Sequence, residues 1–366
     1  MTRDPSGPAD NASAGPAPNS TGRPPAGGTP NAPTDDWSSR ARAAALRVGG
    51  VFLAILIVII IFTVLSKPNT FFTITNSLGV MRSMSTIAIV ALGLTLVIVV
   101  GEIDLSFGYM YGLASILIGV AWIVWGWPIW FAIPLAFAAA VGLGSINAVL
   151  VTVLKIPSFI VTLGTGQLVF GTTLLVSNTA TLNPAYPPPG KTVPQEQVDW
   201  FFGLSNQDLP FGIPMQAIWM LGVAVIIGFI LSRSLFGFRL KAIGGNQAAA
   251  ELARLPITKY KFAAFIISAG LASLAAMLDF AFIGSVQPNA GVSLTFPVFA
   301  AVIIGGASLA GGRGTAIGTL SGALLLAIIA NGLALLSVGS YLSNFVSGAV
   351  TIAAVVLDRF TQRLRK

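Results

Sequence analysis

Long stretches without a charged residue constrain this chain more than any other feature. No charged side chain occurs between Asp104 and Lys155, between Lys155 and Lys191, or from Gly314 to Leu357. A helix needs about 20 apolar residues to cross the hydrocarbon core of a bilayer, because the core is ~30 Å thick and each residue advances ~1.5 Å. Several of these gaps can hold two such helices. The apolar runs do not alternate with polar residues as barrel strands do. We therefore predict an all-α, polytopic membrane protein.

Composition narrows the possible functions. Only 9% of the 366 residues are charged, whereas a soluble domain carries about 25%. The chain contains no cysteine and no histidine. This excludes disulfides, metal sites built on those residues, and histidine acid–base catalysis. We expect neither a metal site nor a cofactor. The net charge of +8 comes from basic residues in short loops beside apolar runs, a pattern typical of membrane topology and not of nucleic-acid binding.

The apolar runs predict about ten membrane-spanning helices. The predicted spans are 48–66, 83–101, 107–125, 129–153, 157–177, 213–232, 261–283, 295–309, 315–337 and 341–357.

Residues 1–36 differ in composition from the rest. They are rich in Pro, Gly, Ala, Ser, Thr and Asn and show no apolar periodicity. Such a segment cannot bury enough surface to offset its ordering entropy. We predict a disordered cytoplasmic tail at 1–36, followed by a transmembrane domain at 37–366.

Basic residues predict the direction of threading. They precede the first span, fill the loop 233–261 and recur in the C-terminal tail, whereas the segment 178–212 is mainly acidic. Loops rich in Lys and Arg stay in the cytoplasm. Ten spans place each of these segments on its required side, and Arg313 and Lys155 also fall inside. We expect a multi-pass plasma-membrane protein with both termini in the cytoplasm.

The segment Gly101–Gly108 places Glu102 and Asp104 between two apolar runs, with no basic residue nearby in sequence. Carboxylates at membrane depth are costly and usually face a cavity or a partner. They could line a transport pathway. Alternatively, Gly101 ends one helix and Asp104 or Ser106 caps the next. Both interpretations hold if a broken helix lines the cavity.

A second glycine-rich segment is Ile304–Gly314. Its last residue begins a series of glycines at every fourth position, Gly314, Gly318 and Gly322. This spacing puts the last three on one helix face, where small residues let helices approach closely. We predict helix packing as their role.

The segment Leu235–Leu255 begins with basic residues and glycines and continues as a short amphipathic helix, with Asn246 as a plausible N-cap. This helix could dock a soluble partner. The alternative is an ordinary loop at the membrane surface.

The chain contains no nucleotide-binding loop that we can identify. Gly190-Lys191-Thr192 has Ala185 where a phosphate-binding loop needs glycine, and three prolines precede it. Any ATP hydrolysis is expected in a separate subunit, so the chain is not expected to be an enzyme.

Together with the run Lys155–Thr165, these segments and their order resemble the permease subunits of ribose-type ABC importers over nearly all of 48–358. The resemblance implies a permease fold with broken helices, a second permease subunit (identical or related), a cytoplasmic ABC ATPase, an extracytoplasmic sugar-binding protein and surrounding lipid. It also implies that the Gly237–Leu255 loop couples to the ATPase. The coupling residues carried over are Gly237, Arg239, Ala242, Gly244, Gly245, Asn246, Ala249 and Glu251. The chain departs from the family at Glu102, where glycine is usual, and at Ser293–Pro297, where a Glu-Leu pair is common.

The leading hypothesis is an ATP-driven importer of a monosaccharide or polyol. Candidate pathway residues that could hydrogen-bond a sugar are Glu102, Asp104, Asn147, Gln167, Gln287, Asn289 and Asn331. The alternative is an ion-coupled secondary transporter, which would use acidic residues such as Asp279.

Overall fold

The computed structural model describes residues 37–207 and 209–339, followed by 342, 345–346, 348–353 and 356. The predicted tail at 1–36 lies outside the described residues. Contacts divide the chain into residues 1–43 and 44–366, and all contacts discussed below lie within the second unit.

The described residues form helices joined by turns. Their bounds are α1 Trp37–Leu65, α2 Ile74–Val99, α3 Phe107–Gly119, α4 Ile129–Thr152, α5 Ser158–Ser177, α6 Gln195–Asn206, α7 Met215–Arg233, α8 Leu235–Gly245, α9 Gln247–Leu252, α10 Ile257–Ile283, α11 Thr295–Ile304 and α12 Ala316–Leu335. The helix of α3 continues as one π-helical turn over Val120–Val124. An isolated β-bridge joins Leu182 and Val286.

The prediction of an all-α, polytopic membrane protein is confirmed. Seven of the described helices, α2, α3 with its π-turn, α4, α5, α7, α10 and α12, are long and apolar enough to cross a bilayer. Two shorter apolar helical segments overlap the first and eighth predicted spans. They are Gly50–Leu65, within α1, and Val292–Ile304, which ends with α11. The tenth, 341–357, is helical at each of its described residues, and its other residues lie outside the description.

Four helical segments differ from the prediction. Helix α2 begins at Ile74, well before the predicted 83, because Thr73 caps it by accepting a hydrogen bond from the Asn76 N–H. Helix α6 forms within a stretch for which no helix was predicted. The basic part of the 235–255 loop is also helical, as α8. Helix α11 ends at Ile304, so the predicted span 295–309 is too long.

Helices α2 and α3 occupy the centre of the bundle, and α4 and α5 its surface. In the most apolar windows of α2 and α3, 83% of residues are buried inside the protein, compared with 28% in α4 and α5. Because the outer face of α4 is apolar, its solvent is lipid. Some polar groups inside the bundle pair with one another: the Thr95 hydroxyl of α2 bonds the Ala91 carbonyl and meets the Thr319 hydroxyl of α12 at 2.7 Å.

The loops gather at two opposite ends of the bundle. The glycine-rich end comprises 100–106, 153–157, 234–256 and 305–315, and the α6 end comprises 125–128, 178–214 and 284–294. At the α6 end, the Trp122 indole N–H and the Ile129 backbone N–H both donate to Gln197 Oε1, each at 2.9 Å. These bonds tie α6 across the ends of α3 and α4.

Candidate functional site

The glycine segments noted in the sequence meet at one place, which we call the glycine junction: residues 99–101, 244–245 and 311–312. The Gly312 N–H donates to the Val99 carbonyl at 2.8 Å. A Cβ on Gly244 would collide with the Val99 carbonyl oxygen, and a Cβ on Gly311 would collide with the Gly244 carbonyl. Main chain therefore packs directly on main chain here, which only glycine permits.

Helix α2 ends at this junction in a Schellman motif. Gly101 adopts a φ of +92°, its N–H donates to the Ile98 carbonyl, and the Glu102 N–H donates to the Val97 carbonyl at 3.0 Å. These two bonds satisfy carbonyls that the helix end leaves open. The motif turns the chain sharply and begins the break between α2 and α3.

The broken segment is held by side chains from its neighbours. The N–H groups of Ile103 and Leu105 donate to Ser158 Oγ and Thr162 Oγ1 of α5, each at 3.1 Å. An extended segment needs such partners because its own backbone makes no helical hydrogen bonds. The break between α2 and α3 is thereby fastened to the first turns of α5.

Asp104 lies inside this break and is 1% exposed. Its Oδ1 accepts hydrogen bonds from the Ser106 N–H at 2.8 Å and the Ser106 hydroxyl at 2.5 Å. Asn147 of α4, also fully buried, donates to Ser106 Oγ at 2.9 Å. The structure thus brings two predicted pathway residues, Asp104 and Asn147, together around Ser106, where they orient the start of α3.

Glu102 is paired, although no basic residue is near it in sequence. Its Oε1 lies 2.5 Å from the Lys261 ammonium of α10, and the two side chains are 12% and 10% exposed. Lys261 therefore belongs to this site and was not among the predicted residues. Its signal in the sequence is weak, since it looks like one more basic residue at the end of a span.

The predicted coupling residues occupy the loop that includes α8 and α9. Asn246 caps α9, as predicted, by accepting from the Ala249 N–H at 3.0 Å. Gly237 is buried, and a Cβ there would collide with the Ile230 carbonyl. Arg239 is exposed and donates to the Tyr260 hydroxyl at 3.0 Å. Gly244 lies in the glycine junction. The remaining predicted coupling residues are all exposed: Ala242, Gly245, Asn246, Ala249 and Glu251.

A lysine in α8 adds to the basic character of this end. The Lys241 ammonium donates to the Leu231 carbonyl at 2.8 Å, and partial burial lowers the pKa of Lys241 below its ordinary value.

The glycines predicted to serve helix packing lie along α12 and just before it. A Cβ on Gly318 would collide with the Gly305 carbonyl, and one on Gly322 with the Ala301 carbonyl. Gly314 faces the side chains of Val99 and Thr95. All three positions thus face other parts of the protein at close range.

The other predicted pathway residues are spread through the molecule. Gln167 is exposed in the middle of α5 and donates to the Tyr109 hydroxyl at 3.1 Å. Gln287 and Asn289 are exposed at the α6 end. Asn331 of α12 donates to Asn76 Oδ1 of α2 at 2.9 Å. The structure does not gather these four residues into one cluster.

A further polar cluster lies within the spans, around Asp279 of α10. Its two carboxylate oxygens accept from the Thr86 hydroxyl at 2.6 Å and the Tyr111 hydroxyl at 2.5 Å. Sequence reasoning named Asp279 alone, and Thr86 and Tyr111 are found only when α2 and α3 are placed beside α10. Among the described residues, no three metal-ligating side chains come together.

Comparison with known proteins agrees with these features. The family described as branched-chain amino acid transport system / permease component matches residues 76–355. The ribose import permease protein RbsC of Escherichia coli K12 is 35% identical over 315 residues, which cover 85% of this chain and 93% of that protein. Two further proteins of that organism are similar. The probable ABC transporter permease protein YphD is 34% identical over 324 residues, covering 87% of this chain and 91% of YphD.

The xylose transport system permease protein XylH of Escherichia coli K12 is 30% identical over 383 residues, covering 90% of this chain and 96% of XylH. The resemblance to ribose-type permeases is thereby confirmed. Because these relatives are permeases, the chain is a transport component and not an enzyme. It belongs to the family described as branched-chain amino acid transport system / permease component.

Proposed function

We propose that this chain is the membrane-spanning subunit of an ATP-driven importer for a monosaccharide or polyol. The similarity to permeases named for ribose and xylose supports the substrate class. The observation that carries the proposal is α9, a short exposed helix whose base is fixed in the glycine junction. Such a helix can receive force from a soluble partner and pass it to the spans.

The geometry of α9 supports docking of a cytoplasmic ABC ATPase. Most of α9 is exposed, including Leu252 at 88%, whereas Ala250 is 4% exposed and faces the bundle. Directly before α9, Gly244 contacts the end of α2 through backbone atoms. This backbone contact holds the base of α9 against the end of α2.

The charge distribution supports the predicted threading, with the glycine-rich end and both termini in the cytoplasm. Basic residues concentrate at this end, and such loops remain cytoplasmic. They are Lys155, Arg233, Arg239, Lys241, Arg254, Lys259, Lys261 and Arg313. The α6 end would then face outward, where a sugar-binding protein could deliver its ligand near Gln287 and Asn289.

Gln167 supports a pathway along α5. An amide exposed halfway along a span is unfavourable in hydrocarbon, where few partners exist for it. It is flanked on the same exposed surface by Gly164 and Gly171, where a Cβ would meet nothing within 4 Å. This open face suits a water-filled pathway shared with a second permease subunit.

Docking is tested by Ala249→Arg in the importer assembled with its cognate ATPase and binding protein. We expect at least a tenfold loss of ATPase co-purification and of ribose or xylose uptake into proteoliposomes, because a long charged side chain fills the docking face. The matched control is Ala185→Arg, which places the same side chain on an exposed position at the α6 end. ATPase retention and uptake equal to the control would overturn the proposal.

A further inference from the structure

A polar network runs from α9 to the break between α2 and α3. Its members are Glu251, Gln247, Lys261 and Glu102. The Lys261 ammonium lies 2.5 Å from Glu102 Oε1 and donates to Gln247 Oε1 at 2.9 Å. The Gln247 amide in turn donates to Glu251 Oε1 at 3.0 Å. One ammonium therefore joins the break, α9 and α10.

The two ends of this polar network differ in how firmly the fold holds them. Lys261 sits in the second turn of α10, a helix of 27 residues, and Glu102 follows the Schellman motif of α2. Helix α9 has six residues. Among the described side-chain hydrogen bonds, the one from Lys261 is the bond that ties α9 to another helix. Lys261 is thus placed to sense the position of α9.

The connection continues beyond Glu102 to the proposed pathway. Directly after Glu102, Ile103 and Leu105 are hydrogen-bonded to Ser158 and Thr162 of α5. Helix α5 carries Gln167 on its open face. A displacement of Glu102 therefore pulls on backbone that is fastened to the pathway helix.

Space beside the polar network allows α9 to move. A cavity of about 790 Å³ adjoins α9 and is lined by the two ends of the network, Glu102 and Glu251, and by the start of α5 at Pro157 and Ser158. Lys261 is 8% exposed as a whole residue. Buried charge pairs hold their geometry more firmly than exposed pairs, because losing the partner leaves a charge without solvent.

We propose that Lys261 and Glu102 are positioning residues that convert movement of α9 into movement of the α2–α3 break, so that ATP hydrolysis opens the pathway. This inference rests on the proposed function, because α9 must receive the ATPase. It goes further by assigning the transmission to one ion pair. Backbone contact at the glycine junction sets where α9 sits, and the ion pair determines whether its movement reaches α5.

The test measures ATP hydrolysed per sugar imported, in proteoliposomes that contain the complete importer and its binding protein. Lys261→Met keeps the length and apolar stem of the side chain, and Glu102→Gln keeps its shape. We expect each variant to retain the ATPase and its hydrolysis while the ATP-to-sugar ratio rises at least fivefold. The double variant should be no worse than either single variant, since both remove the same link.

Two further variants separate folding from transmission. The swap Glu102→Lys/Lys261→Glu should restore the ratio to within twofold of the natural chain, because it re-forms the ion pair with its charges exchanged. Glu196→Gln, an exposed charge at the α6 end, serves as the control and should leave the ratio unchanged. If the single variants fail to assemble, the swapped pair alone decides: an uncoupled swap overturns the inference.

The outcomes distinguish this inference from the proposed function. If Ala249→Arg releases the ATPase while Lys261→Met and Glu102→Gln keep a normal ratio, the ion pair transmits nothing and docking on α9 stands. Effects of the two single variants that multiply in the double variant would also overturn the inference, because they would act through separate routes. If Ala249→Arg has no effect, docking on α9 fails, and the ion-pair inference fails with it.

Discussion

The two ends of the helix bundle are held by opposite kinds of contact. At the glycine-rich end, main chain packs against main chain, and a Cβ on Gly244 or Gly311 would collide with a carbonyl oxygen. At the α6 end, large side chains fill the space: the Trp122 ring packs edge-on against Phe201 and Phe280, with centroids 5.3 and 6.4 Å apart. The glycine-rich end packs closely because its glycines lack a Cβ, and the α6 end packs closely because large side chains fill it.

This difference teaches which substitutions each end can accept. An added methyl group at the glycine junction has to displace backbone, which is stiff. A shortened side chain at the α6 end leaves a cavity or a polar group without a partner. The contrast between the two ends can therefore be tested by adding atoms at the glycine junction and removing them at the α6 end.

The largest expected effect is that of Gly244→Ala. The added Cβ points at the Val99 carbonyl and the Gly312 N–H, so we expect a loss of about 3 kcal/mol in the free energy of unfolding. Denaturant unfolding in mixed micelles measures it. The matched control is Gly222→Ala, because a Cβ there meets nothing within 4 Å; it should leave the free energy of unfolding unchanged or raise it by up to about 1 kcal/mol, since alanine suits a helix interior better than glycine. Equal changes in the two variants would contradict the backbone contact.

A smaller effect is expected from Gln197→Ala at the α6 end. Its Oε1 accepts from both the Trp122 indole and the Ile129 N–H, and removing it leaves two donors unsatisfied at a cost of about 2 kcal/mol. Gln195→Ala on the same helix is the control, since that exposed amide bonds Asp199 one turn away. The same unfolding assay should show almost no change for it. A large change in the control would show that α6 depends on its helix-forming residues and not on this bond.

The smallest effect is expected from Ser205→Ala. Its buried hydroxyl donates to the Leu278 carbonyl at 2.7 Å, and losing that bond should cost about 1 kcal/mol. Ser205 shares no hydrogen-bond partner with Gln197, so the two losses should add within about 0.5 kcal/mol. Ser232→Ala, which removes an exposed bond within α7, should be neutral. Strong non-additivity would mean that the α6 end unfolds as one network.

Hydropathy predicted most spans because apolar runs end at residues that stop a helix. Helix α4 ends at Thr152, shortly before Lys155 and Pro157, as expected. The start of α2 was missed because its first turns contain polar residues typical of a loop. One local and one tertiary contact satisfy those residues: the Asn76 amide donates to the Phe71 carbonyl at 2.8 Å, and the Arg82 guanidinium lies 4.9 Å from the Phe282 ring centroid.

The candidate site was predictable in parts and not as a whole. Each glycine segment was noticeable by composition, and Asn246 was recognisable as a cap because capping depends on neighbours within one turn. The meeting of Gly101, Gly244 and Gly311 depends on how α2, α8 and α11 pack, which no local pattern encodes. The same holds for the Glu102–Lys261 pair. A prediction from sequence treated Glu102 as lacking a basic neighbour, and the fold supplies one.

The length of α11 has a consequence for how the protein is made. Its ten residues reach about 15 Å at ~1.5 Å per residue, roughly half of the ~30 Å hydrocarbon thickness. The translocon accepts nascent segments according to apolarity summed over about 19 residues, so a segment this short is a poor substrate on its own. Its backbone fits against α12 at Gly318 and Gly322. We therefore expect α11 and α12 to partition into lipid together, as one hairpin.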